Sequence, residues 1–580
     1  MPKQSKSRLV TSFAAALLLV PASAIFAQVV TVPPNPQIGS SNPITAEPPV
    51  ERPNSKPCIV QLFKNLAFEN FTPKTFSYTP PTRCHGPWAK VVFTADFTVS
   101  EGTQFDRTAS FYLGKANIYY GTTAEPRTTL SPSWHVERDV TDLSAIFKSD
   151  QTGEANLGNF VGMSGGVNYN GIIYANAALE FYPKTGHEIV LPAPDIVVPV
   201  EGPNGDAGTL NTTTDSISQV LNLPMNVERV YLDVIAQSQI GDEFWYTCVP
   251  TSEANELFTC GNTAFREVEV TIDGKPAGMA PVYPWIFTGG IDPYLWEPIP
   301  GIQTLNFKPY RVNLTPFAGL LSDGNPHTVA VSVYNANGYF LATANLLAYT
   351  DKGKQKVTGG ILTNTLAAAP SPVVTNNIKS TSGGANGTTY SGTVQVASDR
   401  TFDINGYVMT SHGRVETDLH EVVHFNSLQG FLVNSVTDDQ GTMQTSTVDI
   451  TTTTRDGYLV NTGRKHYSYP LELGYAYSVA PDGSAKQTAY VNQQDQINGS
   501  QSILGYQYLS SNLSDQVVAQ DTLNFSPTGG FTSTGAKTTQ TYHYNNSLGD
   551  CYARTLDAAD HVLTNYTDGQ GCSGGNHDTY

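Results

Sequence analysis

Residues 267–274 have the sequence Glu267-Val268-Glu269-Val270-Thr271-Ile272-Asp273-Gly274, in which apolar side chains alternate with polar ones. Successive side chains of a β-strand point to opposite faces, so this period of two predicts a strand with one apolar and one polar face. The Asp-Gly pair that follows is typical of a turn. The same alternation occurs upstream at Val230, Leu232 and Val234. The stretch therefore favours an antiparallel sandwich.

Three polar segments flank these strands, at residues 241–246, 261–268 and 287–296. Each interleaves carboxylates or amides with aromatic residues and glycines. Because each lies where a strand ends or begins, we expect their side chains to gather at one edge of the sheets. Functional residues concentrate on such loops.

The composition limits the classes of function. The chain has 580 residues, of which 32 are basic and 50 acidic, for a net charge of -18. A nucleic-acid-binding protein needs a basic surface, so this balance argues against such a partner. Surplus carboxylates suit acidic surroundings, where protonation relieves their repulsion. The many glycines, tyrosines and hydroxyl residues indicate all-β structure.

The N-terminus has the pattern of a secretory signal peptide over residues 1–27. Basic residues precede an apolar run at 13–20, and small residues follow it. The run is too short for a membrane span, and no later segment is long and apolar enough. We therefore expect a secreted or periplasmic protein without a membrane partner. Residues 28–57 are rich in Pro, Ser and Asn and predict a flexible leader.

The remaining chain is too long for one core. It predicts two packed, jelly-roll-like antiparallel β-sandwiches at 58–205 and 206–369, which form the site together. A Pro-, Ser-, Asn- and Gly-rich stretch at 370–389 predicts a linker. Alternating Thr, Ser, Tyr and Gln runs beyond it predict a C-terminal β-rich domain at 390–580. The sequence does not decide the oligomeric state.

Six cysteines in an exported chain favour disulfides. Fifteen connectivities are possible, and proximity in sequence favours three pairs: Cys58 with Cys84, Cys248 with Cys260, and Cys551 with Cys572. The second pair would pin the loop between the segments at 241–246 and 261–268.

The segment His420-Glu421-Val422-Val423-His424 matches the H-E-x-x-H pattern of zinc proteases. That pattern binds zinc only on a helix, which places both imidazoles on one face a turn apart. The flanking residues alternate as in a strand, where residues four apart lie about 13 Å from each other. We therefore interpret this segment as a strand surface without a metal.

Several motifs occur in an order and spacing that resembles the peptide-N-glycosidase A family of plant and fungal glycoamidases with bacterial relatives. The similarity extends over roughly residues 58 to 350. The matching segments are 87–92, Phe105-Asp106-Arg107, 123–126, 136–141, 242–246, 261–268, 272–274, Thr288-Gly289-Gly290-Ile291 with Trp296, and 314–317.

This resemblance implies a metal- and cofactor-independent hydrolase of the amide between the innermost N-acetylglucosamine and asparagine, with N-glycoproteins and glycopeptides as substrates. An acid-active enzyme is expected. Two other classes stay open, namely a non-catalytic glycan-binding surface protein and an endoglycosidase. Their products distinguish them: aspartate for the amidase, residual N-acetylglucosamine for the endoglycosidase, and intact glycopeptide for the binding protein.

The resemblance also implies roles for individual residues. Asp106 is expected to activate water, with Arg107 lowering its pKa so that it stays ionised in acid. The family pattern places a second carboxylate where this chain has Asn262, which does not titrate. Glu243 is our candidate replacement, since Asp242 beside it points the opposite way in a strand.

Substrate contacts are expected from aromatic stacking and from polar side chains. The candidates are Trp296, Trp245, Asn262, Arg266, Asp242 and Glu125. We further expect Gly289 and Gly290 to permit a close approach of the backbone.

Overall fold

The computed structural model describes residues 35–185 and 192–577 and consists almost entirely of antiparallel strands. The expected signal peptide lies outside these ranges. Helical structure within them is limited to one short α-helix, α1 (Ala318–Leu321), and six 3₁₀ turns. In these ranges, no helix is long and apolar enough to cross a membrane. The 3₁₀ turns are Thr141–Leu143, Ile146–Lys148, Ile240–Asp242, Trp245–Thr247, Pro293–Trp296 and Thr315–Phe317.

The first sandwich is built from ten strands. Two four-stranded sheets, ordered β1-β10-β3-β6 and β2-β7-β4-β5, enclose one aromatic core, and β8-β9 is a separate hairpin. The strands are β1 (Cys58–Phe68), β2 (Lys74–Tyr78), β3 (Trp88–Val99), β4 (Thr108–Leu113), β5 (Ala116–Thr122), β6 (Ser133–Asp139), β7 (Gln151–Leu157), β8 (Gly162–Ser164), β9 (Val167–Tyr169) and β10 (Ile173–Pro183).

The second sandwich contains the nine strands that follow. One sheet has the order β11-β19-β14-β17, with β12 also paired to β19, and the other has the order β13-β18-β15-β16. The strands are β11 (Ile196–Val200), β12 (Gly208–Thr212), β13 (Ser216–Leu221), β14 (Val227–Ser238), β15 (Glu267–Ile272), β16 (Lys275–Pro281), β17 (Tyr310–Asn313), β18 (His327–Tyr334) and β19 (Asn337–Thr350).

The C-terminal part is a single twelve-stranded sheet in which nearly every strand pairs with the next along the chain. Its inner face packs on the second sandwich in a continuous core. The strands are β20 (Gly359–Asn364), β21 (Val373–Asn376), β22 (Lys379–Gly384), β23 (Gly387–Thr410), β24 (Gly413–Asn434), β25 (Thr437–Asp456), β26 (Leu459–Val479), β27 (Ala485–Ile503), β28 (Tyr506–Phe525), β29 (Phe531–Asn546), β30 (Cys551–Ala559) and β31 (Val562–Asp568).

The all-β class with antiparallel sheets is confirmed, whereas two domain boundaries differ from expectation. Strand β11 pairs with β19, so the second sandwich begins before residue 206. Strand β20 pairs with β23, so the C-terminal sheet begins before residue 390. The linker expected at 370–389 is wrong, because β21 and β22 pair with β23 there. Its Gly-rich part forms the turn between β22 and β23.

The described part of the leader, residues 35–57, contains no helix or strand, but it contacts both the first sandwich and the C-terminal sheet. Arg52 forms ion pairs of 2.8 Å with Glu137 and 3.0 Å with Glu180 of the first sandwich. Ala46 is buried in a cluster with C-terminal residues. The expectation of a flexible leader therefore does not hold for this segment.

The three disulfides form as expected between Cys58 and Cys84, Cys248 and Cys260, and Cys551 and Cys572. The strand interpretation of residues 420–424 is also confirmed, since they lie within β24. Both imidazoles lie on the exposed face of the sheet, and each bonds an aspartate of β23: His420 with Asp403 at 2.8 Å and His424 with Asp399 at 2.6 Å.

Strand β15 is the alternating stretch, and the structure covers both of its faces. Val268, Val270 and Ile272 enter the core of the second sandwich. Glu267 and Glu269 face the C-terminal sheet, where both carboxylates bond Arg400 of β23, Glu269 at 2.8 Å. The guanidinium of Arg400 therefore joins the C-terminal sheet to the second sandwich.

Removing this cation should destabilise the protein. Burial raises the pKa of Glu267, and burial with the Glu267 charge raises the pKa of Glu269 to about 9. At pH 8 Glu269 keeps its proton, and Arg400→Met leaves the buried Glu267 carboxylate without its cation, so we expect a loss of about 3–5 kcal/mol in urea unfolding. Arg414→Met, at a more exposed ion pair with Glu416, is the control and should cost about 1 kcal/mol or less. Equal losses in the two variants would contradict the account.

Candidate active site

Two carboxylates meet at one end of the first sandwich. Asp106 lies two residues before β4, and Glu125 lies three residues after β5, the strand paired with β4. The backbone amide of Asp106 donates to Glu125 Oε2 at 3.4 Å. Thr123 holds the two chains together, because its Oγ1 accepts from the Arg107 amide at 2.8 Å and its own amide donates to the Arg107 carbonyl at 2.8 Å.

A third carboxylate comes from the second sandwich. Glu243 follows β14 and the 3₁₀ turn Ile240–Asp242, and it is partly exposed. The two sandwiches are joined beside it through Thr108 Oγ1, which accepts from Gln237 Nε2 at 2.8 Å and from Gln239 Nε2 at 3.0 Å. The Asp106 charge helps to raise the pKa of Glu243, so the two carboxylates lie near each other, and we call the space between them the cleft.

Asp242 points away from this cleft and anchors the turn. Its Oδ1 accepts from Arg266 Nη2 at 2.7 Å and from Nε at 3.0 Å, and both side chains are fully buried. Its Oδ2 accepts from the Asn337 amide at 2.6 Å. The Cys248–Cys260 disulfide closes the loop between these two residues. Asp242 is buried and Glu243 is partly exposed, but the strand alternation expected for this pair is wrong, because the two residues lie in and directly after a 3₁₀ turn.

The Gly289 backbone lies against both carboxylates of the first sandwich. Its amide donates to Asp106 Oδ2 at 3.3 Å. A Cβ on Gly289 would lie 2.2 Å from Glu125 Oε2 and 2.9 Å from Asp106 Oδ1, so only glycine fits here without displacing them. Thr288 Oγ1 donates to the Thr123 carbonyl at 2.7 Å and fixes the loop. The expected close approach of the backbone is thus present.

The electrostatics of the cleft favour proton uptake. Burial raises the pKa of Asp106, although the Gly289 amide and the Arg107 charge lower it in part. Burial and the Asp106 charge raise the pKa of Glu125 to about 7 and that of Glu243 to about 7. The expectation that Arg107 holds the pKa of Asp106 low is therefore wrong, because desolvation outweighs the cation.

This arrangement can hold one ionised carboxylate beside two protonated ones. Near-neutral pKa values for two of three neighbouring carboxyls separate the roles of base and acid. Such carboxyl groups can take a proton from water and give one to a leaving group.

The structure contradicts four of the expected substrate contacts. Trp296 and Trp245 are 3% and 1% exposed, and Asp242 and Arg266 bond each other in the interior. Trp296 Nε1 donates to the Gly290 carbonyl at 2.9 Å, so this buried ring helps to hold the glycine loop, which carries Gly289 and Gly290. Trp245 packs in the core against the C-terminal sheet.

Asn262 also has a structural task. It adopts a positive φ of 73°, which asparagine tolerates better than most residues. Its Nδ2 donates to the Asn335 carbonyl at 3.0 Å. Of the expected site residues, Asp106, Arg107 and Glu125 lie together, and Glu243 lies near enough for the Asp106 charge to act on it.

A cluster of aromatic side chains beside Asp106 was not among the features expected from the sequence. Phe105 is 43% exposed and lies 5.4 Å from Tyr169 between ring centroids. Tyr169 ends β9 and lies near Arg107, and Phe160 packs on its other side at 5.8 Å. Tyr339 lies on the opposite sandwich, close to Glu243. Phe105 was visible in its motif, but Tyr169 and Tyr339 reach the cleft only through tertiary structure.

Comparison with known proteins gives consistent matches. A family model described as Peptide N-acetyl-beta-D-glucosaminyl asparaginase amidase A matches residues 43–367. Peptide-N4-(N-acetyl-beta-glucosaminyl)asparagine amidase A from Prunus dulcis is 29% identical over 405 residues, which cover 66% of this chain and 68% of that relative.

Solved structures are also similar in part. PNGF-II aligns with a TM-score of 0.34 and 14% identity, covering 51% of this chain and 66% of that one. PNGase F, a glycosylasparaginase from Flavobacterium meningosepticum, aligns with a TM-score of 0.32 and 14% identity, covering 51% of this chain and 96% of that one.

The raised pKa of Glu243 predicts a stability cost that grows with pH. The folded state favours the protonated carboxyl of Glu243. The stabilising contribution of this carboxyl to the free energy of unfolding is therefore fully present below about pH 4.5 and is lost as the pH rises through about 7. Glu243→Gln stays neutral. We therefore expect its free energy of unfolding to exceed that of the wild type by about 1–3 kcal/mol at pH 8, with little difference at pH 4.5.

Urea unfolding at the two pH values measures this difference. Glu472→Gln, at an exposed position of the C-terminal sheet, is the control and should show no such trend. A Glu243→Gln variant that is less stable than the wild type at pH 8 would contradict the burial argument.

Proposed function

The chain belongs to the peptide N-acetyl-beta-D-glucosaminyl asparaginase amidase A family, and from this premise we propose that it hydrolyses the amide joining the innermost N-acetylglucosamine of an N-glycan to asparagine. Water enters, aspartate remains in the peptide, and the glycan leaves as a glycosylamine. The observation that carries the proposal is the meeting of Asp106 and Glu125 at Gly289, with Glu243 of the second sandwich near enough for the Asp106 charge to act on it.

Asp106 is the proposed base. An amide resists attack by neutral water, so a carboxylate must take a proton from the water as its oxygen bonds the carbonyl carbon. Asp106 is held by the Gly289 amide at Oδ2 and by Glu125 at its backbone, which fixes its orientation. Arg107, next in sequence, supplies positive charge toward this carboxylate.

Glu243 is the proposed acid. When the carbon–nitrogen bond breaks, the leaving nitrogen needs a proton, and a carboxyl with a pKa of about 7 carries one in mild acid. Glu243 comes from the sandwich opposite Asp106, so a substrate amide in the cleft is flanked by base and acid. Glu125 lies behind Asp106 and is assigned to hold it in place.

The exposed ring of Phe105 and the half-buried ring of Tyr169 form the proposed surface for the sugar. Aromatic faces beside a polar cleft suit the apolar faces of pyranose rings, and tyrosine adds a hydroxyl for hydrogen bonding. This surface replaces the buried Trp296 and Trp245 in that task.

Activity at acidic pH is part of the proposal. The base must be ionised and the acid protonated, so Glu243 can act as the acid only below about pH 7. Above about pH 7 Glu243 loses its proton, and the rate falls. The net charge of -18 agrees with an acidic environment.

The products test the proposed reaction. An N-glycopeptide incubated with the protein at about pH 5 in heavy-oxygen water should give a peptide whose new aspartate carries one heavy oxygen, by mass spectrometry. Asp106→Asn and Glu243→Gln should each lower kcat by about 10²–10⁴-fold, since each removes one proton-transfer group. Residual N-acetylglucosamine on the peptide, or an intact glycopeptide, would contradict the proposal.

Glu125→Gln is the matched control for these variants. Its amide oxygen can still accept from the Asp106 backbone and its NH₂ can donate to the Asp106 carboxylate, so the base stays oriented. We expect a kcat within about tenfold of the wild type. If Glu125→Gln lowered kcat as severely as Glu243→Gln, the roles assigned to these residues would be exchanged, with Glu125 as the acid.

We also propose that the protein acts outside the cytoplasm. The three disulfides and the expected signal sequence support this location, because disulfides persist in oxidising compartments. In cell fractionation of the producing organism, the chain should be found in the medium or periplasm with a new N-terminus near residue 28. A cytoplasmic chain that retains residues 1–27 would contradict this location.

A further inference from the structure

Two adjoining cavities lie where the three parts of the molecule meet. One has a volume of about 290 Å³ and lies between the two sandwiches; the other has a volume of about 340 Å³ and lies between the second sandwich and the C-terminal sheet. Asp233, Pro309 and Arg311 line both cavities, and we call the two together the junction groove. Among the described residues, none that belongs to the proposed catalytic cleft lines either cavity. Small-molecule sites have volumes of about 300–1,000 Å³, so each cavity can hold a small ligand.

The larger cavity is lined by a row of five aromatic rings. Tyr467 and Tyr469 come from β26, and the other three come from the second sandwich and its loops. Neighbouring ring centroids lie 5.2 Å apart for Tyr310 and Tyr467, 6.3 Å for Tyr467 and Tyr469, 5.0 Å for Tyr469 and Tyr283, and 5.8 Å for Tyr283 and Trp285. Such rings combine an apolar face with a polar group at the edge, which suits a ligand that has both kinds of surface.

Polar groups lie beside these rings. Gln303 Nε2 donates to Asp495 Oδ2 at 2.7 Å. Asp495 Oδ1 and Tyr310 Oη are buried and have no hydrogen-bond partner among the described residues. Lys465 is exposed at the entrance, and its Nζ donates to Tyr467 Oη at 3.4 Å. The larger cavity therefore combines apolar faces with unsatisfied hydrogen-bonding groups.

The smaller cavity contains a cation with unused donors. Within the part of the chain that the structure describes, the Arg138 guanidinium makes one hydrogen bond, from Nη1 to Asn117 Oδ1 at 3.4 Å. An arginine side chain has five N–H donors, so most of them are left for a ligand or for water. Arg311, by contrast, is held by Asp233 through two bonds of 2.7 Å and by Asp142 through one bond of 2.7 Å. It is therefore a fixed part of the boundary between the two cavities.

The charges of the groove indicate the class of ligand. Asp233 and Asp495 would repel an anion in the larger cavity, and Lys308 and Lys465 would repel a cation. A wholly apolar ligand would leave charged groups without water or a partner. A neutral ligand with apolar faces and several hydroxyl groups avoids all three penalties, and sugars have this chemistry.

We propose that the junction groove binds a neutral oligosaccharide, with one sugar against the aromatic row of the larger cavity and a neighbouring sugar bonded by Arg138. The groove is open to solvent, since the side chains of Lys308 and Asp142 in its lining are 43% and 37% exposed. This site goes beyond the proposed hydrolysis, because it is a second carbohydrate-binding surface to which the C-terminal sheet contributes β26 and β27.

Calorimetric titration of the full chain tests this site. The probes are a trisaccharide of mannose and a disaccharide of N-acetylglucosamine, neither of which contains the amide that the proposed reaction cleaves. We expect at least one of them to bind with a Kd of about 1 mM or lower. Tyr467→Leu removes one ring but keeps an apolar side chain, and it should weaken binding about tenfold. Arg138→Met and Lys465→Met each remove donors and should weaken binding about fivefold.

Two control variants locate the bound sugar. Arg464 is the exposed cation next to Lys465 and does not line the groove, so Arg464→Met should change Kd by less than about twofold. Phe105→Ala removes the exposed ring of the catalytic cleft and should leave binding in the groove intact. In hydrogen exchange, saturating sugar should raise the protection of peptides spanning 303–313 and 459–479.

Two outcomes would overturn the inference. One is the absence of binding at about 10 mM of either sugar. The other is binding that is lost in Phe105→Ala but kept in Tyr467→Leu and Arg138→Met, which would place the sugar in the catalytic cleft alone. If Tyr467→Leu does not fold, Arg138→Met and Lys465→Met still decide. A chain that binds these sugars but cleaves no glycopeptide defeats the proposed function alone, since the titration measures no turnover.

Discussion

The buried ion pair between Asp242 and Arg266 fixes the geometry on which the site depends. A charge pair removed from water is tolerated only when its hydrogen bonds are satisfied, and here Asp242 accepts three bonds, two from Arg266 and one from the Asn337 amide. Holding Asp242 inward forces the next side chain, Glu243, outward into the cleft. The Cys248–Cys260 disulfide closes the same loop, so both the ion pair and the disulfide constrain the segment that carries Glu243.

The cleft itself is a product of domain packing. One sandwich supplies Asp106, Arg107 and Glu125, and the other supplies Glu243 and the glycine loop, so neither holds a complete site. Burial raises the pKa values of three carboxyls, those of Asp106, Glu125 and Glu243, and holding them ionised at neutral pH costs stability. The C-terminal sheet adds a third layer, in which Arg400 pairs with Glu269 of β15 and Thr538 bonds the Leu295 carbonyl of the turn after the glycine loop.

Local patterns in the sequence were sufficient for many of the strands. The alternation at 267–272 and the strand at 420–424 follow from the period of two, proximity in sequence favours the three disulfide pairs, and motif resemblance and residue type made Asp106, Glu125 and Glu243 candidates. The burial of polar residues was harder to predict from the sequence. Glu267 and Glu269 have the pattern of a solvated face, yet a sheet more than a hundred residues away covers them.

The errors have the same origin. Trp296 and Trp245 have the composition of a sugar platform, and only the packed structure shows that they are interior. The linker at 370–389 has the composition of a flexible segment, but the length of β23 gives its residues a partner strand. Tyr169 and Tyr339 carry no local signal, because they reach the cleft from separate elements. The pKa of Asp106 likewise depends on desolvation that no motif encodes.

The central claim is that a glycosylated asparagine lies between carboxylates from two sandwiches. A crystal structure of Asp106→Asn soaked with an N-glycopeptide tests it most directly. The account predicts the scissile amide between residue 106 and Glu243, with the innermost sugar against Phe105 and Tyr169. A glycan bound away from this cleft, with residue 106 and Glu243 untouched, would contradict the account.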